Sequence, residues 1–294
     1  MPHADVVHAS HGKVGIAALS LAVIALPACG RLAGYEPFYE PAGDAQADGS
    51  SDPCQSQRPP TLKGPALVAQ HIGSRCVWMD RTEVTRADYD AFLEASSTPQ
   101  GEETPCDENA TFKPAALGAD AGETCAGTGV LVSSESDHPI VCIDWCDARA
   151  YCRWAGKSLC RDDYLSADIT QNDWYAACAN GARRTVYPYG SLYDGAICNG
   201  TENGNAGCAN GNCTTLRADA LPSCRNDSGV LDLSGNVSEW TEACREATGE
   251  TDECRVRGGS FQSDSAGLEC GSARSYPRGT RSAAVGFRCC WYPK

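Results

Sequence analysis

The chain has 294 residues, enough for one sizeable hydrophobic core even after a targeting segment is removed. It carries 24 Lys and Arg against 38 Asp and Glu, and the formal net charge of −14 repels phosphate backbones and anionic lipid surfaces. Composition therefore argues against nucleic-acid binding. The acidic surface is expected to serve solubility in water, with cations or basic partners as the alternative.

The first 28 residues have the pattern of a bacterial signal peptide. An apolar run covers 14–26, which is too short to span ~30 Å of hydrocarbon as a permanent helix. It ends in Leu26-Pro27-Ala28-Cys29, which resembles the lipobox cut by lipoprotein signal peptidase. We therefore expect lipidation of Cys29, with ordinary signal cleavage as the alternative. Gly30 replaces the Asp that retains lipoproteins at the inner membrane, which favours the outer membrane of the cell envelope.

The cysteines also indicate export. There are 19, and if Cys29 carries lipid, eighteen remain for as many as nine bridges in an oxidising compartment. Zinc binding is the alternative use of so many thiols, but the chain lacks the CxxC pair that zinc sites usually contain. On spacing alone, the local pairs Cys106–Cys125 and Cys244–Cys254 are expected.

Along the chain, residues 29–70 are polar and lack apolar periodicity, which predicts a flexible tether whose C-terminal end is pinned by Cys54. The folded domain is expected over 71–294. Its first strand is predicted at 77–84, and Thr85 then begins a capping box that predicts a helix.

Further elements follow a long stapled loop at 96–136. A short buried strand is predicted at 140–143, followed by a helix that Asp144 caps and Gly156 ends. Asn172-Asp173 starts another short helix. Strand candidates lie at 230–233, 255–258 and 285–291. The sum is an α+β domain with two main helices, short strands and many loops, held together by disulfides.

A series of short motifs in these elements resembles the formylglycine-generating, or sulfatase-modifying-factor, family. The motifs follow the family's order at 78–85, 138–145, 150–159, 174–178, 187–190, 231–240, 257–261 and 286–289. The resemblance implies a variant of the C-type lectin fold. It also implies the structural bridges Cys152–Cys289 and Cys178–Cys270.

The family oxidises a cysteine of client sulfatases to formylglycine with copper(I), which two cysteine thiolates five positions apart bind after the Gly-Gly-Ser segment. Thiolates suit copper(I) because both are soft. Here Ser263 stands where the resemblance places the first ligand, and Cys270 matches a structural cysteine. A protonated hydroxyl is a hard ligand, so copper is not expected.

The resemblance also implies a calcium site in the turn at 232–239. Asp232 and Glu239 would supply carboxylate oxygens, and Gly235 and Val237 would supply backbone carbonyls, all hard ligands that suit calcium. The family has Asn where Asp232 stands.

An alternative remains open for the same residues: Asp232 caps a turn and Glu239 is a hydrogen-bonded partner in the core. The resemblance further places Asn199 and Gly200 in part of the family's second calcium site, whose other ligands have no counterpart here.

Other chemistry finds little support in the sequence. After residue 28 only His71 and His138 are present, so the three-histidine iron site of a related sulfoxide-forming branch cannot be built, and general acid–base work by histidine is disfavoured. His138 is expected to be structural. There is no Gly-x-Ser-x-Gly nucleophile motif.

Two hypotheses follow from the sequence. The first is a non-catalytic module, tethered by lipid in the cell envelope, that binds a protein or glycan ligand or serves a structural role. The second is a formylglycine-generating oxidase with an altered metal site. Pairing of Cys270 separates them, because a free Cys270 would favour the enzyme.

Overall fold

The computed structural model describes residues 52–96, 104–115, 125, 133–163, 172–204 and 213–294. The predicted signal peptide, Cys29 and the tether up to residue 51 lie outside these ranges. Within them, no helix is both long and apolar enough to cross a bilayer.

The domain includes the C-terminal part of the predicted tether. Helix α1 is a single turn at Pro53–Ser56, and the Cys54–Cys76 bridge joins it to the domain, as the position of Cys54 predicted. Strand β1 spans Leu67–Ile72, so the predicted boundary after residue 70 falls inside a strand. Composition did not reveal this strand because it contains polar Gln70 and His71.

Beyond β1, the strands are β2 at Arg75–Asp80, β3 at Ser158–Leu159, β4 at Ser238–Cys244, β5 at Glu253–Arg257, β6 at Ala273–Pro277, β7 at Val285–Phe287 and β8 at Cys289–Trp291. In the described part of the chain these strands form two four-stranded sheets. The first has the order β1-β2-β8-β3, with every neighbouring pair antiparallel. The second has the order β6-β5-β4-β7, in which β4 and β7 are parallel.

Three helices begin where their capping residues predicted. Helix α2 spans Arg86–Ala95, α3 spans Trp145–Trp154 and α4 spans Asp173–Cys178. Thr85 and Asp144 each form a reciprocal capping box, and Asn172 accepts a hydrogen bond from the Tyr175 N–H. Side-chain caps satisfy N–H groups that a helix leaves unpaired at its start. The predicted α+β class with two main helices is confirmed.

An aromatic core joins the two main helices to the second sheet. The Tyr151 ring of α3 lies 5.3 Å from Phe287 of β7 and 5.8 Å from Tyr89 of α2, measured between centroids. Edge-to-face and offset ring pairs of this kind stabilise a core beyond the area that they bury. A second cluster surrounds Trp174 of α4 and includes Met79 of β2.

Two predicted strands are absent from the described structure. Residues 140–143 are buried but irregular, because Cys142 adopts a left-handed backbone with φ 63°. Residues 230–233 form only an isolated bridge through Leu231, since Asp232 has φ 56°. Neither conformation continues a strand. The candidate at 285–291 is two strands, β7 and β8, separated by Arg288.

Candidate functional site

The turn that was predicted to bind calcium is shaped by left-handed backbone. Asp232, Gly235 and Asn236 have φ of 56°, 83° and 59°. A Cβ on Gly235 would lie 2.3 Å from the carbonyl oxygen of Asn199, so only glycine fits there. The Asn236 N–H donates to that same carbonyl at 2.9 Å. The structure therefore brings Asn199 and the turn together.

Glu239, on β4, makes close contacts with two donors. Arg288 donates to both of its carboxylate oxygens, with Nη2 2.6 Å from Oε1 and Nε 2.7 Å from Oε2. Trp174 Nε1 donates to Oε2 at 2.7 Å. All three side chains are buried. This is the hydrogen-bonded core role that the sequence left open for Glu239, so any cation at this carboxylate shares it with Arg288.

Two more carboxylates lie in the same buried region. Glu83 accepts hydrogen bonds from Asn236 Nδ2 at 3.0 Å and from the Val237 N–H at 3.3 Å. Asp232 is 3% exposed, and among the described residues its Oδ2 has no hydrogen-bond partner. A buried polar atom without a partner costs stability unless another group satisfies it.

The charges of this cluster are unbalanced. Glu83, Asp232 and Glu239 are buried together with the single guanidinium of Arg288. Burial above all, and then the charge of Asp232, raises the pKa of Glu83 well above its usual range. Burial also raises the pKa of Asp232, where Arg288 opposes the shift and Glu239 adds to it. With all three ionised, the buried cluster carries a net charge of −2, which the exposed Arg81 offsets in part at Asp232.

These observations fit a divalent cation of the hard type. The net negative charge of the cluster suits one calcium ion, and Asp232 Oδ2 is a carboxylate oxygen available to it. Gly235 and Val237 belong to the same turn and can add carbonyl oxygens. The residues that the resemblance assigned to calcium are thus compatible with it, with Glu239 committed in part to Arg288.

The residues assigned to a second calcium site lie beside the first. Asn199 is 1% exposed, and its Nδ2 donates to the Thr214 carbonyl at 3.0 Å and to Asn236 Oδ1 at 3.1 Å. Its Oδ1 is buried, with no hydrogen-bond partner in the described ranges. Gly200 packs tightly, since a Cβ there would lie 2.6 Å from Leu268.

The loop at 258–270, which carries the copper ligands in the family, is closed by hydrogen bonds. Ser263 is buried, and its hydroxyl accepts from the Ser260 N–H at 3.0 Å. The Ser263 carbonyl accepts from the Thr201 N–H at 3.0 Å. Five positions after Ser263 stands Leu268, which is 1% exposed.

Copper(I) does not fit this donor set. Ser263 offers a hydroxyl, Leu268 offers no ligand atom, and Cys270 is bridged to Cys178. Every cysteine within the described ranges is disulfide-bonded. Copper(I) requires soft thiolate ligands, and a disulfide sulfur is not one.

The observed bridges match three of the four expected pairs. The structure contains Cys152–Cys289, Cys178–Cys270 and Cys244–Cys254. The fourth pair, Cys106–Cys125, is wrong. Cys106 is bridged to Cys146 on α3, and Cys125 is bridged to Cys142. The hydrogen bond from Asn109 Nδ2 to Asp147 Oδ1 at 2.8 Å holds the segment of Cys106 against that helix. The remaining bridges are Cys54–Cys76, Cys160–Cys290 and Cys198–Cys224, and Cys213 is also bridged.

Sequence reasoning missed two members of the buried cluster. Glu83 and Arg288 stand inside the motifs at 78–85 and 286–289, but neither motif states what its charged residue contacts. Their partners lie 154 and 49 positions away, at Val237 and Glu239. A charged residue beside an apolar position, Val84 for Glu83 and Phe287 for Arg288, was the available signal, since charged residues are rarely buried without a partner.

Comparison with known proteins identifies the family. The family model of the sulfatase-modifying factor enzyme 1-like domain matches residues 41–293. A bovine (Bos taurus) protein named inactive C-alpha-formylglycine-generating enzyme 2 is 32% identical over 56% of this chain and 54% of its own length. A mouse (Mus musculus) formylglycine-generating enzyme is 30% identical over 39% of this chain and 30% of its own length. The chain spans about half the length of the first of these relatives and less of the second.

Among solved structures, PvdO from Pseudomonas aeruginosa is similar to this chain. The two are 18% identical, with a TM-score of 0.50 over 79% of this chain and 92% of PvdO. At this identity the likeness concerns the fold alone. The family model matches most of the chain, and this match shows that the chain belongs to the family of sulfatase-modifying factor enzyme 1-like domains.

Proposed function

We propose that this protein is a non-catalytic member of its family, a ligand-binding or structural module of the bacterial cell envelope. The loop at 258–270 carries the proposal. Ser263 occupies the position of the first copper ligand, and its hydroxyl is engaged by the Ser260 N–H. Cys270 is bridged to Cys178, which is the arrangement that disfavours the oxidase hypothesis.

The names of the relatives are consistent with this proposal without deciding it. One is named inactive and another is named as the enzyme, at 32% and 30% identity. Identity of this level does not separate the two classes. The donor atoms support the non-catalytic class, because the copper chemistry needs two thiolates and the described residues offer none.

The proposed place of action is outside the cytoplasm. The bridged cysteines support an oxidising compartment, since cytosolic thiols are kept reduced. The signal-peptide pattern and Cys29 support anchorage by lipid, at the outer membrane in this proposal. Metabolic labelling with a palmitate analogue tests the anchor: the wild-type chain should be labelled and a Cys29→Ser chain should not.

Calcium has a structural role in this proposal. Asp232, Gly235, Val237 and Glu239 would hold the ion, and Asn199 and Gly200 lie at its side. The ion would balance the charge of the buried carboxylates and hold the turn that leads into β4. A structural ion takes part in no catalytic step and requires only hard oxygen ligands and negative charge.

The proposal is tested by thiol counting and copper uptake on the oxidised chain. Alkylation under denaturing, non-reducing conditions should find no free thiol from residue 52 onward, and copper(I) held by a chelator should stay with the chelator. The same chain with its bridges reduced is the matched control, and it should take up copper. Stoichiometric uptake by the oxidised chain would favour the oxidase hypothesis instead.

A further inference from the structure

The most exposed apolar side chains of the described structure lie in one segment. The large hydrophobic residues exposed in the described ranges are Val186, at 36%, and Leu192, at 86%. The same segment contains Tyr187, Tyr189 and Tyr193. An exposed leucine alone needs no explanation, but an apolar patch built on aromatic rings is typical of interaction sites.

The three tyrosines form a stacked group. The rings of Tyr187 and Tyr189 are nearly parallel, 8° apart in orientation, with centroids 5.4 Å apart. The Tyr193 ring lies 5.5 Å from Tyr187. Tyr187 is buried, whereas Tyr189 and Tyr193 are half-buried. Ring faces carry negative potential and attract cations. We call Val186, Tyr187, Tyr189, Leu192, Tyr193 and Glu202 the tyrosine surface.

The loop at 258–270 is hydrogen-bonded to the tyrosine surface. The Cys270 N–H donates to the Val186 carbonyl at 2.8 Å, and Tyr187 Oη donates to the Ser265 carbonyl at 3.1 Å. The Cys178–Cys270 bridge anchors the same loop to α4. The tyrosine surface is thus held by the loop that, in the family, carries the copper ligands.

The segments that form the tyrosine surface and its support are acidic, and the exposed Arg183 and Arg184 precede them in the chain. Segments 185–204 and 258–270 contain Asp194, Glu202, Asp264 and Glu269 and no Lys, Arg or His. Glu202 is exposed beside Tyr193: a Cβ on Gly195, between them, would lie 3.3 Å from Tyr193 Oη and 3.4 Å from Glu202 Oε2.

Burial and the same acidic side chains raise the pKa values of the tyrosine hydroxyls. Burial first, and then the charge of Glu202, raises the pKa of Tyr193 to about 12. Burial and then Glu269, Asp264 and Glu202 raise the pKa of Tyr187. The nearby basic side chain of Arg183 is paired with Asp227.

We propose that the tyrosine surface docks a basic segment of a partner protein, with Lys or Arg side chains over the tyrosine rings and an apolar side chain against Leu192. The inference rests on the proposed function, since it names the class of partner for a binding module. The carboxylates and aromatic faces supply charge complementarity, and Leu192 supplies apolar area. Docking needs no movement of the bridged loop beneath.

Binding of a labelled peptide tests the proposal. The probe is a fluorescein-labelled twelve-residue peptide of Arg, Lys, Leu and Gly, added to the full oxidised chain and followed by anisotropy. An analogue with Glu at each basic position and an unlabelled neutral oligosaccharide, chitohexaose, are tested beside it. The basic peptide should bind, more weakly as salt rises, and the other two should not.

Two variants and one control locate the binding. Glu202→Lys and Leu192→Ser should each weaken the peptide about fivefold or more, because they remove charge and apolar area at the surface. Glu94→Lys makes the same charge change on exposed α2 and should stay within about twofold. Equal loss in Glu202→Lys and Glu94→Lys would show diffuse attraction to an acidic protein and overturn the proposal.

The remaining outcomes are equally decisive. No peptide binding, or chitohexaose binding that Leu192→Ser abolishes, would overturn the partner class. Formylglycine formation is measured on the same preparation. Its appearance would overturn the proposed function, whereas failure of the peptide to bind without any formylglycine would overturn only the docking inference.

Discussion

Arg288 and Glu239 form a two-point ion pair at the centre of the domain. Arg288 also donates to the carbonyl oxygens of Asp80 and Leu231, at 3.1 and 2.8 Å. One guanidinium thus connects the end of β2, the turn at 231–237 and β4. Arg288 lies between β7 and β8, so the break between these strands places it at the junction of the two sheets.

Removal of this guanidinium should unfold the domain readily. Arg288→Met leaves Glu239 buried without its partner, which costs about 3–5 kcal/mol of the free energy of unfolding. Arg274→Met, on exposed β6, is the matched control and should change it by less than about 0.5 kcal/mol. Urea unfolding of the oxidised proteins measures both. Similar urea midpoints for the two variants would show that Arg288 stabilises the domain no more than an exposed arginine does.

Calcium should raise the melting temperature. An ion present at 100 times its dissociation constant adds about 2.7 kcal/mol, or roughly 5–10 °C for a domain of this size. Chelation should lower the melting temperature by this amount in wild type, and Asp232→Ala should abolish the difference. Asp90→Ala, exposed on α2, should retain it. Identical melting curves with and without chelator would exclude a stabilising ion.

The bridge between α3 and β8 should stabilise the fold more than the local bridge in the second sheet. Cys152–Cys289 closes a separation of 137 residues and Cys244–Cys254 one of 10, worth about 5 and about 3 kcal/mol in the chain-entropy account. Replacing both cysteines of each pair with alanine, in separate proteins, makes a matched comparison. The first variant should be less stable than the second by about 2 kcal/mol in urea unfolding. The reverse order would contradict the account.

Acid should weaken the loop that Asp252 organises. Hydrogen bonds from Thr248 above all, with others from Gly249 and Arg278, hold the pKa of Asp252 well below its usual range. A lowered carboxyl pKa gives stability that is fully present above the unfolded pKa of about 3.9 and is lost as pH falls from there through the lower folded pKa. The stability gap between wild type and Asp252→Asn should therefore narrow steadily below about pH 5 and still be closing at about pH 2. A difference in the free energy of unfolding that stays constant with pH would show that the ionised form of Asp252 does not stabilise the fold.

Local signals in the sequence predicted the features that local physics controls. The caps at Thr85, Asp144 and Asn172 are complete within four residues, and each helix begins where its cap indicated. The motif order predicted the family and the bridges Cys152–Cys289 and Cys178–Cys270.

Long-range contacts escaped prediction for a physical reason. Cys106 is bridged across 40 residues to Cys146, because α3 lies beside its loop, and spacing alone cannot report that position. Glu83 joins the buried cluster across 154 residues. The strand predicted at 140–143 failed because Cys142 is left-handed, a conformation set by its surroundings and not by its own preference.

An assay of peptide oxidation tests whether this family member has the copper oxidase activity, which we expect it to lack. The oxidised full chain is incubated with copper(I), oxygen and a Cys-x-Pro-x-Arg peptide, and the peptide mass is followed beside a copper-only blank. We expect no aldehyde above the blank, because the Ser263 hydroxyl is not a thiolate and accepts a hydrogen bond from the Ser260 N–H, and because Cys270 is bridged to Cys178. Copper-dependent turnover above the blank would show that two thiolates converge in this protein and would contradict the proposed non-catalytic function.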